Sequence, residues 1–338
     1  MLEENKQTPK VSVTVVTYNH GQWLAECLES IVTQETNFPF EVIVGDDAST
    51  DGITQDILRD YADRFPHLIV PVFRDKNING TQNFLDVLRR TQGEYIAHID
   101  GDDLMQPGKL QKQADYLDSK LECVMVTHLM RWINSTGSML KDESPLPEQF
   151  DVNHLVESCN CVSSSARMFR RTAVLTWNAA PNERVMDFRQ NLEIASSGVI
   201  GCINEYLGVY RYGVGITGQS IESGFLPDLV AQAFLKAKCF GVKIESILIG
   251  YYRYKTEILM WCMRNGVNPP QNIVDISLPI YFRKENLVFF FYFYMAKILG
   301  HKAAFQLLKN TRKFIKALKS SLLISLPSIN AITYKSKS

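Results

Sequence analysis

The sequence predicts an α/β fold with a mainly parallel, Rossmann-like central sheet and a helical C-terminal extension. Three observations carry the prediction. Short β-branched runs alternate with amphipathic stretches of helical spacing through the first 130 residues. Three of those runs end directly in clusters of polar and turn-forming residues. Beyond Phe225 the pattern turns helical and aromatic. Strands alternating with helices imply right-handed crossovers and parallel pairing, and such sheets bind ligands at the carboxyl ends of their strands.

The elements follow in order. Val11 to Thr17 is a β-branched run closed by Tyr18-Asn-His-Gly21, which reads as a strand feeding a loop. Trp23 to Val32 carries Leu24, Cys27, Leu28 and Ile31 at helical spacing. Glu41 to Gly45 is a second strand, and the turn-rich Asp46–Gly52 stretch after it offers a cap to a helix over Ile53–Phe65. Leu68–Phe73 reads as a strand, Thr81–Arg90 as a helix and Tyr95–Ile99 as a strand running straight into Asp100-Gly-Asp-Asp103. Pro107 opens a helix through Leu117, and Cys123–Leu129 is a fifth strand. The pattern loosens from 130 to 165, as for a long excursion over a site. Asp187–Ser197 then reads as a helix, Val199–Ile203 and Leu207–Arg211 as strands, and Gly213–Ser220 as a Gly-rich loop. The expected domains are 1–222 and 223–338.

Composition narrows the function. Lys+Arg and Asp+Glu each number 36, yet nine of the basic residues and none of the acidic ones lie after Glu285. The first 285 residues therefore carry 27 basic against 36 acidic side chains, a net of −9, and the last 53 carry +9. An acidic body argues against nucleic-acid binding, and the basic end calls for an anionic partner or surface. The seven cysteines are scattered, with Cys159 and Cys161 the only close pair, which is poor spacing for zinc and reads as reduced thiols. Met1–Lys10 is polar and unlike a secretory leader, and the longest apolar run, Leu287–Ala296, is half the roughly 20 residues a membrane span needs. A cytoplasmic protein is expected, peripheral on the inner face of the membrane.

Two carboxylates one small residue apart at the end of a buried strand are costly unless a positive charge lies between them. Asp100-Gly-Asp102 therefore suggests a divalent cation, Mn²⁺ or Mg²⁺, held by one or two carboxylates with phosphate and water in the remaining positions. An isolated acidic turn would be a weak signal. Here it sits beside two other polar strand ends, Thr17-Tyr-Asn19 and Asp46-Asp47.

These segments resemble the inverting glycosyltransferases of family 2, which have the GT-A fold, and among them the bacterial surface-polysaccharide type. The resemblance runs from Val11 to about Ser220. It rests on Val-Ser-Val-Thr-Val-Val-Thr-Tyr-Asn19, Val-Ile-Val-Gly-Asp-Asp-Ala-Ser-Thr-Asp-Gly52 and Gly-Glu-Tyr-Ile-Ala-His-Ile-Asp-Gly-Asp-Asp103, with Val185-Met-Asp-Phe188 and Asn204–Arg211 like the family's later motifs. It implies that Thr17, Tyr18 and Asn19 line a nucleotide pocket and that Asp47 accepts a hydrogen bond from the base, with Asp46 sharing that contact or holding the strand end. A carboxylate acceptor suits the imide N–H of uracil better than an adenine amino group, so a UDP-sugar donor is implied. Asp100 would meet ribose or metal, Asp102 the metal, Arg211 a phosphate, and Asp187 would be the general base. Asp46, Asp51 and Asp103 can equally be turn or cap residues, and a helix-start Asp such as Asp187 is commonly a cap.

The sequence departs from the family in two places. Thr81-Gln-Asn-Phe84 stands where many relatives have an Arg, although a sub-branch has Asn-Phe there as in Asn83-Phe84, and Tyr212-Gly213 follows Tyr210-Arg211 where a His is common. The processive polymerases' Gln-x-x-Arg-Trp motif is absent. Transfer of one sugar at a time to a saccharide or lipid-linked saccharide is implied. A nucleotidyltransferase and a non-catalytic GT-A-like scaffold are the competing readings. The first would need a Gly-rich basic loop after the first strand, which Thr17–Gln22 does not supply, and intact Asp100, Asp102 and Asp187 weigh against the second.

His98 is expected to point away from the crevice. Trp132 and Trp177 read as packing residues, with stacking on an acceptor sugar as the alternative. At the basic end, His301–Leu323 places apolar residues on one helical side and lysines on the other. Together with Leu287–Met295 this suggests an anionic membrane surface docking through 287–323.

Overall fold

The computed structural model describes residues 8–174, 177, 179–180, 183–214, 225–265 and 267–270, and isolated positions 273, 295, 303, 304, 306, 307 and 310. The chain divides into two compact units, Met1–Tyr254 and Lys255–Ser338.

The first unit is built on one sheet in the order β3-β2-β1-β4-β9-β6-β10-β5, with β7 and β8 pairing off the main path. Its leading half alternates β1 (Val11–Thr17), α1 (Leu24–Val32), β2 (Phe40–Asp46), α2 (Thr54–Arg64), β3 (Ile69–Phe73), α3 (Gly80–Arg89) and β4 (Tyr95–Asp100). Strands β3, β2, β1 and β4 pair in parallel. The expected mainly parallel α/β sheet is present.

β1 shows why this sequence makes a central strand. Val11, Val13 and Val15 are fully buried in the core with Leu24, Cys27, Leu28 and Ile31 of α1. Each such burial contributes about 1.5–3 kcal/mol. The alternate residues Ser12 and Thr14 are also buried, facing the other side of the sheet. They are hydrogen-bonded: Ser12 donates to Glu41 at 2.6 Å, and Thr14 Oγ1 lies 3.0 Å from His98 Nδ1. A buried polar row of this kind is tolerated because each group has a partner.

The second half differs from the sequence expectation. β5 (Leu104–Met105) and α4 (Lys109–Ser119) precede β6, which runs from Cys123 to Ile133, four residues past the expected end. The excursion contains β7 (Met139–Asp142), β8 (Gln149–Phe150) and α5 (Val152–Glu157). β9 (Met168–Arg170) was hidden in the sequence because three residues show no usable period. It inserts antiparallel between β4 and β6. After α6 (Asp187–Ala195), the two strands expected between 199 and 211 form one, β10 (Val199–Arg211), irregular between Ile203 and Gly208. A bulge carries one strand through the polar Asn204-Glu205 interruption that read as a break.

α7 (Phe225–Lys236) closes the described part of the first unit together with the start of α8 (Ile244–Asn265). In the second unit Leu259 and Cys262 are buried. Among the described residues, no helix is long and apolar enough to cross a membrane. The segments expected to dock on a membrane, Leu287–Met295 and His301–Leu323, and most of the Gly213–Ser220 loop lie outside the described residues apart from single positions.

Candidate active site

The carboxyl end of β1 gathers the acidic loops. Thr17 is in register with Asp46 on one side, and Val16 with Asp100 on the other. The Asp47 N–H donates to the Thr17 carbonyl at 3.0 Å, and the Gly101 N–H donates to that of Val16 at 2.9 Å. Both loops therefore leave the sheet alongside one strand tip, as the alternating pattern requires.

On the β2 side the carboxylates are engaged. Asp46 is fully buried and accepts from the Ser49 N–H and hydroxyl and from Gln55 Nε2 at 2.9 Å, so its oxygens hold the loop in shape. Asp47 Oδ1 accepts from the Ile78 N–H at 2.7 Å. Burial pushes its carboxyl above the usual range, while that N–H and Arg74 oppose the rise. Asn19 adopts φ 57°, a left-handed conformation that Asn tolerates, and its Oδ1 accepts from the Thr50 N–H at 2.7 Å, tying the two loops together. Tyr18 is 43% exposed beside them. Asp51 accepts from the Thr54 N–H at 3.0 Å, the cap read from the sequence, and from the Gly21 N–H at 3.0 Å.

The acidic turn after β4 is crowded. Asp102 and Asp103 are buried, and the Asp100 side chain is about a third exposed. Burial tends to raise Asp100, but His98 Nε2 at 3.3 Å and the charge of His20 outweigh it, and its carboxyl sits below the ordinary value. Asp102 is raised by burial, opposed by His20 and reinforced by Asp100. Asp103 is raised well above the usual range by burial and its two acidic neighbours. Asp103 Oδ1 accepts from the Arg211 N–H at 2.8 Å, making it a brace between this turn and β10. Beneath lies Lys109, fully buried, its ammonium donating to the Ser165 carbonyl at 2.6 Å, with burial pushing it down to about 7. Arg211 donates through Nε to the Asp102 carbonyl at 3.0 Å and through Nη2 to Glu26 at 2.9 Å, so its guanidinium fastens the acidic turn to α1.

His98 corrects the sequence expectation. Residues two apart on a strand share a face, so His98 lies on the Asp100 side of β4, not opposite it. It packs edge-on against Phe84 at 4.6 Å. Asn83 and Phe84, standing where relatives have an Arg, also find a structural use. Asn83 donates to the Gly45 carbonyl at 2.7 Å and accepts from Arg74, bracing the end of β2. Trp177 meets Phe84 edge-on at 5.6 Å, a packing role as expected.

A cavity of about 440 Å³ opens beside β4, with Asp100 and Asp187 both in its lining. His98, Trp132, Glu143 and Tyr210 contribute further walls. Asp187 is the first residue of α6, and its Oδ1 accepts from the Phe188 N–H at 2.7 Å, so a local capping contact and a place in the cavity coexist. Burial raises its carboxyl, Arg167 opposes the rise and Asp100 adds to it. Arg167, fully buried, donates to Asn191 at 2.6 Å and to Gln190, both on α6, and its charge acts on Asp187 and Asp100 alike. Sequence reading missed Arg167 because nothing in the local pattern marks it. Its only signal was a charged residue inside an otherwise apolar Ala166–Phe169 run.

The acidic turn suits a divalent cation. Among the described residues, no group of three or more His, Cys, Asp or Glu could hold a metal by itself. Two carboxylates with vacancies for phosphate and water match the preference of Mg²⁺ or Mn²⁺ over zinc. Two buried polar atoms at this turn, Thr17 Oγ1 and His20 Nδ1, have no hydrogen-bond partner among the described residues. A methyl group added to Gly101 would sit 2.9 and 3.0 Å from them, so only glycine leaves this turn open.

Known proteins agree with this architecture. Residues 12–176 match the family described as Glycosyl transferase family 2. An uncharacterised Mycobacterium tuberculosis protein is 34% identical over 204 residues, 60% of this chain and 58% of the relative, so the chain matches little more than half of that protein's length. The S. aureus TarS 1–349 structure in complex with UDP-GlcNAc is similar with a TM-score of 0.56 at 16% identity, over 90% of this chain and 91% of TarS 1–349. A Pyrobaculum calidifontis mannosyltransferase in complex with GDP-Man and Mn²⁺ gives 0.56 at 17% identity, over 90% and 87%. Residues 12–176 thus match the family 2 glycosyltransferases, and the sheet order with the two structural likenesses gives the GT-A fold.

Proposed function

We propose that this protein is an inverting glycosyltransferase that moves a sugar from a UDP-sugar to a hydroxyl of a saccharide acceptor in surface-polysaccharide assembly. The single observation that supports it is that Asp100, from the acidic turn, and Asp187, from α6, line one cavity. Thr17, Tyr18, Asn19 and Asp47 border the nucleotide, with the Asp47 carboxylate offered to the uracil imide N–H. Asp46 holds the loop that presents Asp47, and Arg211 keeps the acidic turn in place within reach of the diphosphate.

Asp100 and Asp102 would hold Mn²⁺ or Mg²⁺. When bound, the cation supplies positive charge where the departing diphosphate becomes negative. An acceptor hydroxyl attacks poorly while it keeps its proton. Asp187 removes that proton from the face opposite the leaving group, and in-line attack inverts the anomeric carbon. A buried carboxylate with a raised pKa is a better base than a solvated one, and the Arg167 charge opposes that rise. His98 orients Asp100 from behind.

Incubating the full chain with a panel of UDP-sugars and Mn²⁺ is expected to release UDP, and chelation is expected to stop it. Absence of hydrolysis across the panel would end the proposal. The acceptor is taken to be lipid-linked, presented at the inner membrane face to the basic 287–323 segment. On that reading the full chain floats with anionic liposomes, while a chain truncated after Asn286 does so less, each exposed Lys or Arg being worth about 1 kcal/mol near such a surface. Equal flotation of both forms rejects the membrane contact.

A further inference from the structure

Trp132 is a wall shared by two adjoining cavities. One is the 440 Å³ cavity that holds Asp100 and Asp187. The other, about 250 Å³, is lined by Trp132, Leu140, Lys141 and Tyr212. The sheet register builds this second site. Trp132 of β6 pairs with Lys141 of β7 on one side and with Tyr210 of β10 on the other, so the three side chains form a row across three strands.

Each member of the row is held. The Trp132 indole N–H donates to Glu143 at 3.0 Å, and the Tyr210 ring meets Trp132 at 4.7 Å with Tyr212 at 5.7 Å. Lys141 Nζ stands 3.6 Å from the centre of the Trp132 ring. That contact fixes an otherwise mobile side chain without neutralising it. The nearby acids hydrogen-bond or pair elsewhere: Glu143, on which the Lys141 charge also acts, accepts from the Met130 N–H at 2.8 Å, and Asp142 faces Arg131 at 3.8 Å. Among the described residues Lys141 has no carboxylate within ion-pair distance. Among the described residues it is also the one charged residue lining the outer cavity. An ammonium propped on an aromatic ring, in a cavity that shares its Trp132 wall with the proposed transfer site, is arranged to receive an anion.

We infer that the Trp132–Lys141–Tyr212 cavity seats the second unit of the acceptor, and that this unit carries an anionic group, a carboxylate or a phosphate, paired by Lys141. The inference rests on the proposed glycosyltransferase reading, because only that reading makes the inner cavity the place of the first acceptor unit. Tyr212 and Trp132 supply the apolar walls that a sugar ring's C–H face prefers, and Lys141 supplies selectivity. A neutral acceptor would leave the ammonium unpaired, and an anionic one pairs it at little cost because the aromatic ring has already ordered the side chain.

The test uses the full chain and three disaccharide probes that differ at one position: cellobiose, cellobiouronic acid and cellobiose 6′-phosphate. Their dissociation constants are read by ligand-observed NMR, with UDP binding measured on the same samples. One or both anionic probes are expected to bind about fivefold more tightly than cellobiose, the upper range for an exposed ion pair of about 1 kcal/mol. Preference for one anion over the other tells carboxylate from phosphate. Lys141→Gln removes the preference, and Lys141→Arg retains it. Added salt narrows the difference. Equal binding of all three probes, binding of none, or a preference that survives Lys141→Gln overturns the inference. Loss of UDP binding with the anion preference intact would instead count against the nucleotide reading alone.

Discussion

Asp187→Asn is expected to lower the turnover number for sugar transfer about 10²–10⁴-fold, the range for loss of a positioned general base. The substitution preserves shape, and the new amide oxygen can still accept from the Phe188 N–H, so the start of α6 is kept. UDP binding should stay within about twofold of wild type, since the proposed mechanism sets Asp187 against the acceptor hydroxyl and away from the nucleotide. The pH profile carries a second signature. A base works only when ionised, so activity rises with pH through the Asp187 pKa and is lost below it. Burial raises that pKa, which places the acid limb of kcat/KM above the ordinary aspartate range, with Arg167 limiting the displacement. Steady-state kinetics from acid to neutral pH, on wild type and Asp187→Asn, measure both effects. A variant with near wild-type turnover, or an unchanged acid limb, shows that another group takes the proton.

Asp102→Ala is expected to reduce transfer about 10²–10³-fold, the scale of losing one preorganised charge-stabilising contact. Manganese should then no longer strengthen UDP binding in titration calorimetry. Stability should move the other way. In the free protein the Asp102 carboxyl is raised by burial, with the Asp100 charge adding to the rise. A carboxyl raised in the folded state makes ionisation unfavourable to folding above its unfolded pKa, so removing it leaves Tm at neutral pH unchanged or higher. The Asp102 carbonyl that accepts from Arg211 belongs to the backbone and survives the change. Retained manganese-dependent activity in this variant would remove Asp102 from the metal site. A large fall in Tm would mean that the residue serves the fold.

The reach of sequence reading can be judged residue by residue. The parallel half of the sheet was legible because each strand there is a β-branched run of five to seven residues with its own turn signal. The acidic loops were legible for a related reason: residues at the end of a buried strand have nowhere to go but the sheet edge. His98 was misjudged although the period-two rule sufficed to place it beside Asp100. β9, three residues long, offered no period at all. The joining of 199–211 into one strand depended on a bulge opposite β6, which is a property of the pair and not of either segment.

The local pattern of residues by itself determined the parallel half of the sheet, its crossovers and the three polar tips that meet beside β1, because periodicity and turn chemistry act over a few residues and leave their mark in order along the chain. Only the tertiary structure decided which carboxylates face a cavity and which brace the scaffold. Asp100 and Asp103 look alike as letters, yet Asp100 lines the cavity while Asp103 is consumed by the β10 backbone, as Asp46 is by Ser49 and Gln55. Arg167, held by Asn191 and Gln190 of α6, and Lys141 on the Trp132 ring likewise depend on partners more than 20 residues away or on another strand. The free energy of a charge is set by what surrounds it, and those surroundings are assembled from segments distant in sequence, so its role becomes readable only once the chain has folded.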